Sequence, residues 1–62
     1  MLDEYAIVKA ERDLSDKVLK GCQGTVVLVH TSPKLGYEVE FVDDEGDTLA
    51  VLTVYPADIA QV

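Results

Sequence analysis

The run Lys20-Gly21-Cys22-Gln23-Gly24-Thr25-Val26-Val27-Leu28-Val29-His30 constrains this fold more than any other part of the chain. Two glycines three apart open directly into β-branched residues. Glycine supplies the positive φ and the close backbone approach that a tight turn needs. Val-Val-Leu-Val then supplies a strand buried on at least one face. A loop that passes through such a turn into a long bent strand is the start of a very small β-barrel.

The rest of the chain continues that pattern. Tyr5–Ala10 reads as a first strand, with Tyr5 and Ile7 on one face and Ala6 and Val8 on the other. Residues 11–23 are too polar for a strand and too irregular for a helix, so they form a long folded loop. Leu14, Val18 and Leu19 are its apolar anchors, with room for one helical turn near Asp16–Leu19. Thr25–His30 is the second strand, and Pro33 and Gly36 punctuate the loop after it. Tyr37–Val42 alternates, which places Tyr37, Val39 and Phe41 inward and Glu38 and Glu40 outward. Asp43–Asp47 is an acidic hairpin turn around Gly46. Thr48–Val54 is a nearly all-apolar fourth strand. Pro56 makes Tyr55–Asp58 a tight or 3₁₀ turn, and Ile59–Val62 closes the domain. The expectation is one all-β domain over residues 1–62: a five-stranded SH3-like barrel with a long first loop and a 3₁₀ turn before the last strand. Closure would remove sheet edges that so short a chain cannot otherwise hide. The rival is an open antiparallel sheet paired across a dimer.

Size sharpens the demand on packing. A chain of 62 residues buries only about 60% of its unfolded surface. Cys22 is the sole cysteine, so no internal disulfide forms, and no zinc spacing is present. Stability therefore rests on a compact apolar core, a partner or self-association. The single thiol, with no basic leader and no long apolar run, places the expected location in the cytoplasm and away from membranes.

Charge is unevenly spread. The formal net charge is −7. Acids and bases nearly cancel over residues 1–20, whereas residues 21–62 hold seven carboxylates against Lys34 alone. Such a surface repels phosphate backbones and steers toward basic partners.

Taken together, Ile7-Val8-Lys9, Leu14, the Gly21/Gly24 turn, Tyr37-Glu38-Val39-Glu40-Phe41, Gly46, Leu49–Thr53 and Asp58-Ile59 carry a resemblance. The chain resembles an uncharacterised family of short acidic bacterial SH3-like proteins, common in cyanobacteria and proteobacteria. The resemblance implies the fold and a bacterial origin, and a role beside other small proteins in toxin–antitoxin style. The same glycine turn is also similar to KOW-type SH3-like barrels, which bring Lys and Arg to nucleic acid. Here the matching half of the chain holds one lysine, so no nucleic-acid partner is expected.

No catalytic set can be assembled. Cys22 lacks the cations that lower a thiol's pKa, and His30 has no nucleophile or ligand partners at a recognisable spacing. The acidic turn fails the spacing of a calcium loop. Neither a cofactor nor a metal is called for. The expected site is instead an acidic stripe of Glu38, Glu40, Asp43, Asp44, Glu45 and Asp47, with Tyr55 as an interface anchor. The functional expectation is a non-enzymatic protein-binding module, an antitoxin-like or regulatory partner. Its target would be a basic protein such as a small toxin or nuclease. The alternative is a self-associating homodimer that buries apolar surface of Thr48–Val54.

Overall fold

A computed structural model describes residues 1–62. It contains β1 (Ile7–Ala10), β2 (Gln23–His30), β3 (Gly36–Val42), β4 (Thr48–Val54), a 3₁₀ turn (Pro56–Asp58) and β5 (Ile59–Gln61). The strands form one antiparallel sheet in the order β4-β3-β2-β1-β5. No helix is long and apolar enough to cross a membrane.

The expected barrel is not closed. The sheet ends at β4 on one side and β5 on the other. All three residues of β5 are taken by β1, through Val8↔Gln61, Lys9↔Ala60 and Ala10↔Ile59. No ladder joins the other edge of β5 to β4. The sheet is nevertheless strongly curled. Five flat strands at ~4.8 Å spacing would hold β4 and β5 about 19 Å apart. Only Tyr55–Asp58 join those two strands. Even fully extended they would reach roughly 17 Å, and a 3₁₀ turn reaches less.

The concave face holds the core. Val8, Ala10, Val26, Tyr37, Val39, Phe41, Val54 and Ile59 pack there, and Val18 joins them from the first loop. Tyr37, Val39 and Phe41 point inward as the alternation predicts, while Glu38 and Glu40 stay half-exposed on the other face. Gly24 lies within β2, where a Cβ would meet Val39 Cγ1 at 2.7 Å, the Glu40 carbonyl at 2.8 Å and Phe41 Cδ1 at 2.9 Å. Gly21 supplies the turn, at φ +91°.

Three local expectations change. Tyr5 has φ +69°, so the first strand begins at Ile7. In the first loop the Ser15 hydroxyl accepts from the Lys17 and Val18 amides, and the Val18 carbonyl accepts from the Leu14 and Ser15 amides. These bonds make a knot of turns rather than a helical turn at Asp16–Leu19. They bury Val18 and leave Leu19 exposed.

The first loop is also tied to the 3₁₀ turn. Arg12 Nε and Nη2 donate to Asp58 Oδ1 at 3.0 and 2.5 Å. The Tyr55 amide donates to Asp58 Oδ2 at 2.9 Å, and the Glu11 amide to the Asp58 carbonyl at 2.9 Å. Asp58 is buried. The Tyr55 amide foremost, helped by Arg12 and opposed by burial, holds its carboxyl below the ordinary value of 3.8.

Candidate functional site

The sheet's convex face has no covering layer, and a bulge in β2 sets its composition. Val26 pairs with Val39, but Leu28, not Val27, pairs with Glu38. One extra residue therefore sits in β2. The slip sends Val29 inward opposite Tyr37 and puts Leu28 on the convex face beside Glu38. Leu28 is 45% exposed, and Val51 of β4, opposite Glu40, is 56% exposed. Ile7 and Val27 are exposed as well. Simple alternation cannot place such a patch, because nothing in Val26-Val27-Leu28-Val29 marks which residue is the extra one.

Glu38 stands at the centre of a polar cluster on this face. Its Oε2 accepts from Thr53 Oγ1 at 2.5 Å and from His30 Nε2 at 2.7 Å. Thr53 lies opposite Glu38 across β3–β4, and His30 two residues beyond its β2 partner Leu28. The Thr53 hydroxyl foremost, then His30, lowers the carboxyl below its ordinary 4.5. Thr53 and His30 thus meet on the same carboxylate oxygen of Glu38. It lines a cleft of about 280 Å³ with Ser32, Lys34 and Tyr55. Lys34 Nζ lies 4.3 Å from the centroid of the Tyr55 ring, a cation–π contact. The Tyr55 ring in turn packs on Gly36, where a Cβ would come within 3.0 Å of it.

The remaining expected site residues lie elsewhere. Glu40 accepts from the Thr48 hydroxyl, midway along β3. Asp43 Oδ1 accepts from the Glu45 and Asp47 amides, each at 2.9 Å, and so organises the hairpin from within. Asp44, Glu45 and Asp47 are exposed at its tip. The seven expected residues thus extend along the length of β3. Glu38 and Tyr55 share the cleft at one end of β3, and the hairpin acids stand about 17 Å away at the other, five residues at ~3.4 Å each. Glu40 lies between them.

Two further grooves flank the sheet. One of about 810 Å³ runs between the end of the first loop and the acidic hairpin, past Lys17, Lys20, Cys22, Asp44 and Leu49. Burial foremost, then the Asp44 and Asp43 carboxylates, raises the Cys22 thiol above its ordinary 9.0. That disfavours the thiolate. The other, about 330 Å³, is lined by Leu2, Leu35, Tyr37, Pro56 and Ile59. No cluster of three or more His, Cys, Asp or Glu side chains is arranged to hold a metal ion.

Sequence reasoning missed the Lys34–Tyr55 contact, the Glu38 cluster and the apolar convex patch. The pairing of Glu38 with Thr53 was the most accessible of these, since both strands were delimited and needed only their register. In comparison with known proteins, a family model described as Domain of unknown function (DUF4926) fits residues 4–61. No curated protein and no solved structure matches the chain.

Proposed function

The chain belongs to the DUF4926 family, and from that premise we propose that it is a non-enzymatic protein-binding module with an SH3-like fold. It acts in the cytoplasm as an antitoxin-like or regulatory partner and covers a basic surface of another protein, such as a small toxin or nuclease. The strand order, the long first loop and the 3₁₀ turn before β5 support the fold assignment. The convex face carries the functional one. It joins exposed Leu28, Val27, Val51 and Ile7 to Glu38 and Glu40, with the acidic hairpin at one end.

An apolar centre with charged surroundings is the usual composition of a protein interface. The carboxylates lie on the β3 and hairpin side of the patch and Lys9 stands beside Ile7 on the other, so the matching surface is apolar at its middle and basic where it meets β3 and the hairpin. The apolar side chains would hold the complex, and the carboxylates would speed encounter and reject acidic surfaces.

The test is capture from a lysate of the source organism on the immobilised chain, at low and high salt. A triple variant, Glu40→Lys with Asp44→Lys and Glu45→Lys, and Leu28→Ser are run beside it. A basic protein retained by the parent, shed by salt and lost with either variant is the expected result. Retention that is indifferent to both variants would mean that the convex face is not the binding surface.

A further inference from the structure

We infer that two copies of this chain pair edge to edge through β4, making a continuous sheet with a two-fold axis near Leu52. The inference goes beyond the binding reading and does not depend on it, because the convex face points away from the sheet's edge.

The first support is an unprotected edge. β4 is hydrogen-bonded to β3 alone, and residues 49–54 make no backbone hydrogen bond outside that ladder. Every second residue therefore directs a free N–H and C=O away from the sheet. Natural edges are usually blunted by charge, proline, a bulge or short length. Ala50-Val51-Leu52-Thr53-Val54 has no charge and no proline, and the irregularity in the β3–β4 register falls before Ala50. The opposite edge, β5, is only three residues long. Joining β4 to β5 of another copy would make a heterologous ring or filament, whereas β4 on β4 closes at two.

The second support is charge complementarity. Antiparallel pairing about Leu52 sets Ala50 against Val54 and Val51 against Thr53 of the partner copy. Each chain then runs on from Ala50 toward its acidic hairpin alongside the other copy's Tyr55. Lys34, the one Lys or Arg of residues 21–62, stacks on that tyrosine ring at 4.3 Å. The symmetry axis thus brings the exposed Asp47 end of each hairpin to the one base in the other copy's acidic half, twice per dimer.

Sedimentation equilibrium of the full chain from micromolar to millimolar concentration tests this, with hydrogen exchange on the same samples. The expected species has twice the 6.8 kDa chain mass, and alternate amides of Ala50–Val54 gain protection as it forms. Val51→Lys should give a monomer that stays folded by circular dichroism, since Val51 is exposed and faces Glu40. Leu28→Lys, on the convex face but two strands from the edge, should leave the dimer intact. Lys34→Glu should weaken it about tenfold, as two exposed ion pairs would, and Asp47→Lys in the same chain should restore it. A monomer at all concentrations overturns the inference. So does a dimer that survives Val51→Lys, one that dissociates equally with Leu28→Lys, or one unmoved by Lys34→Glu.

Discussion

Of Gly21 in the turn and Gly24 in β2, Gly24 is the one where a side chain meets packed atoms. A Cβ there would lie under 3 Å from the Glu40 carbonyl, a backbone atom held in the β2–β3 ladder. Gly21 has open space around it and is constrained only by its positive φ. Gly24→Ala should therefore destabilise the fold by about 1–3 kcal/mol, the usual range for overpacking a close-packed interior. The midpoint of chemical denaturation reads it directly. An unchanged midpoint would mean that β2 and β3 are not packed this closely at Gly24.

At the scale of elements, the long first loop is kept against the sheet by two devices. Val18 is fully buried among strand residues, and Arg12 reaches the buried Asp58 in the 3₁₀ turn. Full burial of a valine contributes roughly 1.5–3 kcal/mol. The carboxylate contributes through charge-assisted bonds to Arg12 and the Tyr55 amide, and these carry a pH dependence. The folded-state pKa of Asp58 is depressed, so its contribution is fully present above the ordinary 3.8 and is lost as pH falls through the folded value. Glu38 has the same sign relative to 4.5. Asp58→Asn keeps an acceptor for the Tyr55 amide but loses the charge. It should cost about 1–2 kcal/mol near neutral pH, the difference between charged and neutral hydrogen bonds. That deficit should shrink in acid as the parent's own carboxylate is protonated. Urea titrations at several pH values would show it, and a deficit that stays constant into acid would remove Asp58 from the account.

For the whole molecule, the net charge of −7 and the curled single sheet act together. The concave face is used up by the core, so the convex face is the broad surface left for a partner. Because carboxylates flank its apolar patch on the β3 and hairpin side, salt should slow association with a basic partner far more than it speeds dissociation. Stopped-flow or surface-based kinetics against the captured protein would read both rates. Equal salt effects on the two rates would place the carboxylates in the closed contact and not in the approach to it.

The sequence by itself determined the order and approximate place of the five strands, which residues of β3 face inward, and that the chain from Gly21 onward is acidic. Each of these is local, a matter of alternation, turn residues or composition. Only the tertiary structure decided the rest. The barrel stayed open because no ladder forms between β4 and the three-residue β5, a question of length and register between distant strands. Leu28 turned outward through a bulge that the uniform apolar run Val26–Val29 does not mark. The Arg12–Asp58 tie joins residues 46 positions apart, and Lys34 meets Tyr55 across the sheet's end. Contacts of that kind depend on how strands pair in space, and in a chain this small that pairing also chose which surface stayed open.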